Sequence, residues 1–426
     1  MESNISNCRN RERKSCFRRL ELEYYTCESM MKNKKIGCVI PCREGHTNYG
    51  TSLVGYALIK KLQLLGYDVE VINYIKRLSF LQKAEWVVNA WRCGMGKAVL
   101  DRYKAAKDLK RNARYAENVK VRTQAVDAYK KEKIKPLFKD YVGYDALHEG
   151  SKSYDVVVVG SDQVWIPRGL PTKFFNLLFV DEAVRKVAYA SSFGVSSIPK
   201  FQHKATGAFL DRFYAIGVRE QSGKTIVDSL SHKTATVVAD PTILLDHMEW
   251  SEEIKDTKIN MNEPYIFCYF LGTNMEARKA ANELKAQTGL KIVALRHMDE
   301  YVPEDESFGD YAPYDVGPND FLAYIKHAEY VLTDSFHCSA FSIQFHKQFM
   351  TFYRFAQGSA TGRNSRIDSL FNVLGVNKEH IYSGDVMKVK APLDWESIDG
   401  NLGKLRERSV EFLKKSLDSP SPRTSG

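Results

Sequence analysis

Residues 34–75, KKIGCVIPCREGHTNYGTSLVGYALIKKLQLLGYDVEVINYI, decide the fold. An apolar run over 36–40 is followed by a helical pattern from Tyr49 and by DVEVINYI (68–75), in which apolar residues predominate. Strands that are buried on both faces are near-continuous apolar runs, and parallel strands need a crossover of a dozen or more residues, usually a helix. The stretch therefore predicts a strand–helix–strand unit at the start of a parallel sheet.

The same alternation continues along the chain in two sets. In the first set, short apolar runs cut by turn residues predict the strands DVVVVGSD (155–162), RKVAYASSFG (185–194), FYAIGVRE (213–220) and TATVVADPTILL (234–245). In the second set, the predicted strands are YIFCYFLG (265–272), KIVALRH (291–297) and EYVLTDS (329–335). The polar segment 246–264 between the sets is typical of a linker. The chain is thus predicted to be α/β, with two Rossmann-like domains and a cleft between the carboxyl ends of their sheets.

The pattern also predicts domain boundaries. The predicted segments are a leader (1–33), an N-terminal domain (34–248) with a basic helical insertion (76–136), a C-terminal domain (262–390), a C-terminal helix (391–417) and a tail (418–426). We expect the leader and the tail to be disordered, because neither shows an apolar pattern. The leader should also be dispensable, since MKNKKIGCVIP, from Met31, has the form of a natural beginning.

Composition excludes several classes of protein. No apolar run approaches the roughly 20 residues that span a bilayer, and the N-terminus lacks the apolar core of a secretory signal. The 8 cysteines contain no CxxC pair, so we predict neither a zinc site nor a disulfide framework. Free thiols suit a reducing compartment. The sequence therefore predicts a cytoplasmic protein without a bound metal.

Positive charge is concentrated in the insertion. Residues 76–136 hold 17 Lys and Arg against 6 Asp and Glu, an excess as large as the +10 net charge of the whole chain. A solvated helical face is the usual reason for such a run, but an anionic lipid head group, a phosphorylated substrate or a nucleic acid would also suit it. No nucleic-acid-binding motif is present, and we predict no nucleic acid partner. Trp86, Val87, Ala90 and Trp91 form an apolar patch, which favours a peripheral contact with the cytoplasmic face of a membrane.

Polar residues end two of the predicted strands, at the sheet edge where α/β proteins bind ligands. Gly160, Ser161, Asp162 and Gln163 follow one apolar run directly, and Arg219 follows another. A surface ion pair is one role for such an arginine. An arginine that points into the cleft would instead bind a carboxylate or phosphate through two parallel hydrogen bonds.

Two predicted helix starts supply further candidates. The turn Asn48-Tyr49-Gly50 lies between the first strand and its helix, where backbone N–H groups form an anion-binding site. Near the other end of the chain, TDSFHCSAFS (333–342) places Ser335 and His337 just past a strand. A histidine there either donates one ring proton to a neighbouring loop or takes part in chemistry.

Taken together, the motifs resemble one family. GSDQVW, YASSFG, VREQSG, DPTILL and TDSFHCSAFS, in this order after an NYG turn, are similar to the polysaccharide pyruvyl transferases over roughly residues 34–376. The resemblance implies a GT-B-like pair of domains. It implies an enzyme that moves the enolpyruvyl unit of phosphoenolpyruvate onto a sugar of a surface or capsular polysaccharide precursor, usually closing a cyclic ketal. Phosphoenolpyruvate would be a donor substrate, and no cofactor would be needed. The sugar acceptor would be carried on a lipid, with a nucleotide carrier as the alternative.

The resemblance also implies roles for residues. The family's histidine matches His337, which would protonate the methylene carbon of the donor, and the arginine of its V-R-E/D segment matches Arg219, which would hold the donor. An imidazole changes charge near neutral pH and suits a general-acid step. Two positions depart from the motif of several members: Ser335 stands where they have an arginine, and Cys338 where they have a glycine. A second anchor for the donor must therefore come from elsewhere.

Three arginines behind the histidine are candidates for that anchor. They are Arg354, Arg363 and Arg366, and we favour Arg366 because the loop ends there at a predicted helix start. The residues predicted to bind substrate, besides His337 and Arg219, are Asn48, Tyr49, Gly160, Ser161, Asp162, Gln163, Ser335, Arg354 and Arg366.

Two other functions fit the same sequence. A GT-B glycosyltransferase would use a nucleotide sugar and would need an acidic residue for the ribose hydroxyls. Glu304, Asp305 and Glu306 lie in the appropriate half, in a polar loop that we expect to face solvent. A non-catalytic, sugar-binding relative is the second alternative.

Overall fold

A computed structural model gives the fold. It describes residues 34–42, 44–45, 47–76, 80–93, 104, 107–255, 257, 259, 263–354 and 364–419. The predicted leader, the candidate Arg363 and residues 420–426 of the predicted tail lie outside the described residues.

The first sheet has seven parallel strands in the order β3-β2-β1-β4-β5-β6-β7. Its strands are β1 (Lys35–Val39), β2 (Asp68–Ile75), β3 (Phe138–Val142), β4 (Val156–Asp162), β5 (Arg185–Ser191), β6 (Ala215–Val218) and β7 (Ala235–Val237). In β4 the apolar run is buried on both faces, as a parallel strand covered by helices must be. The strand order reverses between β1 and β4, and ligands of open α/β sheets bind at such a switch point.

The second sheet is smaller but built in the same way. Its strands are β8 (Tyr265–Tyr269), β9 (Lys291–Leu295), β10 (Tyr330–Thr333) and β11 (Gln348–Thr351). They are parallel, in the order β11-β10-β8-β9, so that β8 and β10 flank a second switch point. The predicted fold class, α/β with two Rossmann-like sheets in a GT-B-like arrangement, is confirmed.

Helices cover both sheets. They are α1 (Tyr49–Leu64), α2 (Phe80–Arg92), α3 (Ala113–Lys133), α4 (Tyr144–Ser151), α5 (His203–Asp211), α6 (Gln221–Leu230), α7 (Pro241–Leu244), α8 (His247–Glu253), α9 (Met275–Thr288), α10 (Pro318–His327), α11 (Phe336–Gln344), α12 (Ser365–Leu374) and α13 (Trp395–Asp418). The last of these, α13, returns to the first sheet, where Lys34 Nζ donates to the carbonyl oxygen of Leu417 over 2.7 Å.

One apolar core joins the two sheets. It includes residues of β1 and α1 in the first unit and residues of β8 and α10 in the second. The ring of Tyr49, at the start of α1, stacks on Phe321 of α10 with 4.7 Å between centroids and lies 5.6 Å from Tyr269 of β8. The first helix of the chain is therefore packed between the two units.

The structure differs from the sequence interpretation in four elements. The end of the predicted strand 234–245 is instead the helix α7, because Asp240 caps it and Pro241 opens it. Part of the predicted linker is the helix α8, in which Asp246 caps the first turn and Trp250 is fully buried. The strand β3 was not predicted because its sequence, FKDYV, carries charges and alternates in burial at the edge of the sheet. The four-residue strand β11 was too short to show a pattern.

Candidate active site

The first turn of α1 forms one side of the cleft. Asn48 caps the helix, and its Oδ1 accepts a hydrogen bond from the Thr51 N–H over 3.3 Å. Gly50 comes so close to His337 that a Cβ added to it would lie 2.3 Å from the histidine Nδ1. Thr51 donates through Oγ1 to Asp162 Oδ2 over 3.3 Å. This turn thus contacts residues of both sheets.

The end of β4 supplies one acidic side chain to the cleft. Gly160 is required for packing, because a Cβ there would lie 2.2 Å from the carbonyl oxygen of Tyr189. The buried Ser161 donates to the carbonyl oxygen of Ala190 over 2.9 Å. Asp162 then takes a left-handed conformation with φ of 79°, which is unusual for a residue other than glycine. Its side chain turns towards Arg219.

Arg219, at the end of β6, is surrounded by three carboxylates. Its Nη1 donates to Asp240 Oδ2 over 2.8 Å, and its Nη2 lies 3.5 Å from Asp162 Oδ1. Its Nε lies 3.7 Å from Glu220 Oε2, and the side chain is only 2% exposed. The arginine predicted to hold the donor is therefore buried and already engaged with protein carboxylates, which favours a role in positioning.

His337 lies in the first turn of α11, directly after β10. Ser335 caps this helix by accepting from the Cys338 N–H over 3.4 Å. The His337 Nε2 lies 3.7 Å from Asp240 Oδ2, too far for a hydrogen bond, and it has no hydrogen-bond partner among the residues that the structure describes. Its side chain is 12% exposed. The imidazole is thus held between Gly50 and Asp240 with one ring nitrogen unpaired.

Arg366, at the start of α12, approaches the same place from the second unit. Its guanidinium carbon lies 6.0 Å from the centroid of the Phe336 ring, and that of Arg219 lies 5.4 Å from the same centroid. Within the described part of the chain, Arg366 makes no hydrogen bond or ion pair. The two arginines thus share one aromatic ring next to His337, but only Arg219 has carboxylate partners.

The charges of the cluster shift its pKa values. Burial alone would raise the pKa of the Asp240 carboxyl, but His337 and Arg219 outweigh it and hold this pKa below its ordinary value. Burial would also raise the pKa of Asp162, and Arg219 and His337 lower it instead. Burial and the like charge of Arg219 lower the pKa of Arg366 to about 10. The carboxylates are therefore stabilised in their charged forms, whereas Arg366 is a cation that its surroundings oppose.

Arg354 contacts the end of β10 beside the cluster. Its Nη2 donates to the carbonyl oxygen of Asp334 over 3.1 Å and approaches Asp334 Oδ1 at 3.4 Å. Asp334 Oδ1 also accepts from the Leu271 N–H over 2.6 Å. This candidate anchor therefore fixes the loop between β10 and α11.

The structure brings together four of the predicted residues, Asp162, Arg219, His337 and Arg366. Tyr49 lies in the core between the units, and Gly160 and Ser161 are buried, so their positions favour packing over contact with a substrate. Asn48 and Ser335 cap helices that carry the cluster. Gln163 is half-buried and borders the cleft beside Gly194.

Two members of the cluster, Glu220 and Asp240, were not predicted. Glu220 is adjacent to Arg219 in the sequence, and its Oε1 accepts from Ser192 Oγ over 2.6 Å. Asp240 is the acid of the DPTILL motif and caps α7. The turn signal Asp240-Pro241, which follows the apolar run 237–239, would have identified it.

The acidic loop 304–306 does not face solvent throughout. Asp305 is buried and pairs with Arg278, with contacts of 2.6 and 2.9 Å. Glu306 accepts from Tyr301 over 2.5 Å. The expectation of a solvent-facing loop is thus wrong for Asp305. Of the three acids that were candidates to bind the ribose of a nucleotide sugar, Asp305 and Glu306 are thus engaged within the protein.

The fold and the cluster define a two-unit α/β protein with an ionic site at the carboxyl ends of both sheets. A sequence profile of the polysaccharide pyruvyl transferase family matches residues 48–354, and the chain belongs to that family. The family predicted from the motifs is therefore confirmed. No curated protein sequence matches the chain.

The solved structures to which the chain is similar are distant from it. UDP-GlcNAc 2-epimerase from Neisseria meningitidis is 10% identical, over 90% of this chain and 94% of that chain, with a TM-score of 0.44. UDP-GlcNAc 2-epimerase from Methanocaldococcus jannaschii is 11% identical, over 89% and 99%, with a TM-score of 0.47. The glycotransferase of kitacinnamycin is 12% identical, over 90% and 99%, with a TM-score of 0.43.

Proposed function

We propose that the protein transfers pyruvate from phosphoenolpyruvate to a sugar of a polysaccharide precursor and closes a ketal over two hydroxyls. His337 gives a proton to the methylene carbon of the donor, which becomes a methyl group and leaves a cationic centre at the neighbouring carbon. One sugar hydroxyl forms a C–O bond to that carbon. A second hydroxyl replaces the phosphate, whose C–O bond breaks. Of the two hydroxyl protons, one restores His337 and the other leaves with the phosphate.

The observation that carries this proposal is the uncompensated charge of Arg366. It is an arginine whose pKa is lowered by burial and by Arg219, and it makes no ion pair with any described residue. Arg366 is half-buried, and Asp162 and Glu220 offset its charge only in part, so an anion from outside would stabilise it further. Perturbed groups of this kind in a cleft are candidates for a functional site. A phosphate or carboxylate of the donor would supply the missing charge, with two parallel hydrogen bonds.

The position of His337 supports its proposed role as the acid. The Nε2 atom of its ring has no hydrogen-bond partner among the described residues and lies beside Asp240. Burial would raise the pKa of the Asp240 carboxyl, and His337 helps to lower it instead. An unpaired ring nitrogen at the cleft is what a group that gives a proton to a bound substrate needs. Asp240 acts through the histidine and is a positioning residue.

We expect Arg366→Gln to weaken the binding of phosphoenolpyruvate at least tenfold, because the variant loses a charge-assisted contact of roughly 1.5–3 kcal/mol. The measurement is the shift of the melting temperature across a titration of phosphoenolpyruvate, with the release of phosphate and the mass of the sugar product as readouts of turnover. Arg408→Gln, on the exposed side of α13, is the matched control and should behave like the parent.

The same melting-temperature assay, repeated with UDP-sugars, separates the three candidate functions. Stabilisation by phosphoenolpyruvate that Arg366→Gln weakens supports pyruvyl transfer. Stabilisation by UDP-sugars alone would indicate a glycosyltransferase. Response to neither donor would indicate a sugar-binding relative without turnover.

We expect Gly50→Ala to reduce turnover by roughly tenfold to a hundredfold, because the new Cβ would displace the His337 ring and small misplacements of this kind are costly in catalysis. Alanine is otherwise the better helix former by about 1 kcal/mol, so the fold should be retained. Gly403→Ala, in α13 with nothing within 4 Å of the added Cβ, is the control. A Gly50→Ala variant as active as the parent would show that His337 does not need its present position.

We also propose that the insertion contacts an anionic membrane surface through α2. Phe80 is 84% exposed and Trp91 77%, and Leu81, Val87 and Val88 are exposed on the same helix. The side chain of Trp86, which was predicted to join this patch, lies outside the described residues. Exposed cations of the insertion are Lys83 and Arg92 on the same helix, and Lys107, Lys110 and Arg111 further along the chain. An apolar helix face with basic neighbours suits the boundary between head groups and water. No helix in the described ranges is both long enough and apolar enough to span a membrane.

Replacing Phe80, Leu81 and Trp91 together by serine should abolish sedimentation with vesicles that contain phosphatidylglycerol, because the helix then loses its apolar contact. Each basic residue near such a surface contributes about 1 kcal/mol, so binding of the parent should weaken with salt. Leu64→Ser, which changes an exposed leucine on α1, is the control. Absence of vesicle binding by the parent at low salt, or undiminished binding by the triple variant, would rule out this contact.

A further inference from the structure

A large cavity adjoins the cluster on the side of the first sheet. It has a volume of about 610 Å³ and lies at the carboxyl ends of β1, β2 and β4. Thr51, Asp162 and Gln163 line its wall next to the cluster. Pockets for ligands of moderate size have volumes of about 300–1,000 Å³. A three-carbon donor held at Arg366 would leave this cavity free for a second, larger substrate.

The walls of the cavity combine flat apolar surfaces with hydrogen-bonding groups. Its aromatic residues are Tyr74, Phe138, Phe174 and Phe175. The rings of Tyr74 and Phe174 lie 5.6 Å apart, at an angle of 35°. Among the polar residues are Asn73, Gln163 and Thr172. Sugar rings have C–H faces that pack on aromatic rings and hydroxyl edges that need donors and acceptors, so these walls suit a carbohydrate.

Asp162 stands at the boundary between the cavity and the cluster. Its Oδ1 faces Arg219 at 3.5 Å and its Oδ2 accepts from Thr51, yet the side chain remains 23% exposed. Its φ of 79° is a strained conformation, and strain of this kind is concentrated at functional sites. A carboxylate oxygen at this boundary can accept a hydrogen bond from a hydroxyl group of a ligand in the cavity.

We infer that the cavity binds the acceptor sugar and that Asp162 orients its attacking hydroxyl towards the donor. As the sugar oxygen bonds to the cationic carbon of the donor, its O–H bond breaks and the proton passes to Asp162 Oδ2. A hydroxyl bonded to a cationic carbon is strongly acidic, so a carboxylate suffices as the base. The proton then leaves with the phosphate. This inference rests on the proposed function and adds the acceptor site and its base.

Binding of the sugar can be measured without turnover. We would record saturation-transfer NMR spectra of methyl β-galactoside and methyl β-glucoside with the parent protein and with Tyr74→Ala and Phe174→Ala. At least one glycoside should show transfer from the parent, and both variants should reduce its affinity at least tenfold. Tyr214→Ala, which removes a partly exposed tyrosine outside the cavity, is the control. Absence of transfer from the parent, or undiminished transfer in both variants, would overturn the assignment of the cavity.

The role of Asp162 has its own test. Asp162→Asn should keep the stabilisation by phosphoenolpyruvate and the contact with the glycoside, but reduce turnover by roughly a hundredfold, the usual size of a general-base contribution. Turnover equal to that of the parent would overturn this role. A parent protein that binds the glycoside but does not respond to phosphoenolpyruvate would contradict the proposed donor, not the cavity.

Discussion

Replacing His337 by glutamine is expected to reduce pyruvyl transfer by roughly a hundredfold or more, while the binding of phosphoenolpyruvate remains close to that of the parent. Glutamine has a similar length and keeps a hydrogen-bonding group beside Asp240, but it cannot give a proton to carbon. General-acid catalysis typically contributes between a hundredfold and ten-thousandfold to a rate. The fold should be unaffected, because the ring nitrogen Nε2 makes no hydrogen bond to any described residue.

Three measurements would establish the result. Product formation on a sugar acceptor is followed by mass spectrometry, donor binding by the shift in melting temperature, and folding by circular dichroism. His232→Gln, on an exposed loop, is the control for the substitution itself. If His337→Gln forms product at the rate of the parent, the histidine is structural and another group protonates the donor.

Replacing Arg219 by alanine is expected to lower the free energy of unfolding by roughly 3–5 kcal/mol, the usual cost of removing one partner from a buried ion pair. The change removes the cation that faces Asp162, Glu220 and Asp240, of which Asp240 is fully buried. Urea denaturation of the parent and the variant measures the difference. Arg408→Ala, an exposed arginine of α13, should change stability by less than about 0.5 kcal/mol.

The pH dependence of this difference gives a further test. The pKa values of Asp162 and Asp240 are lowered in the folded protein, against burial, chiefly by Arg219 and His337. A carboxyl group with a lowered pKa stabilises the fold above its unfolded pKa of about 4, and this stability is lost as the pH falls through the folded value. The difference in the free energy of unfolding between the parent and Arg219→Ala should therefore become smaller at acidic pH. A small loss in the free energy of unfolding that does not vary with pH would show that the ion pairs of Arg219 contribute little to stability.

The fold could be predicted because its strands are uniform. An apolar run such as VVVV in β4, alternating with helices, is typical of a parallel strand that is buried on both faces. The end of such a strand then predicts where the carboxyl edge of the sheet lies. The position of His337 was predictable for the same reason, since the residue after a parallel strand lies at that edge. The role of Tyr49 was not, because its neighbours Phe321 and Tyr269 are more than two hundred residues away in the sequence.

The ion pair of Arg219 with Asp240 is a second feature that the sequence pattern could not predict. The place of Arg219 after β6 predicted an arginine at the cleft, and the structure has it there. Its partner Asp240 follows β7, however, and only the pairing of β6 with β7 brings the two side chains to 2.8 Å. Sequence pattern thus predicted that Arg219 reaches the site, but not that Asp240 neutralises it there. That difference leaves Arg366, not Arg219, as the better candidate to bind the donor.

The continuous core that joins the two sheets limits how substrates enter the cleft. A hinge needs an interface that can separate, but Tyr49 is fully buried between Phe321 and Tyr269. Swinging one sheet away from the other would expose these rings to water, at about 25 cal/mol for each Å² of apolar surface. We therefore expect the cleft to keep its width when substrates enter and leave. Free and donor-bound forms of the protein should superpose as one rigid body.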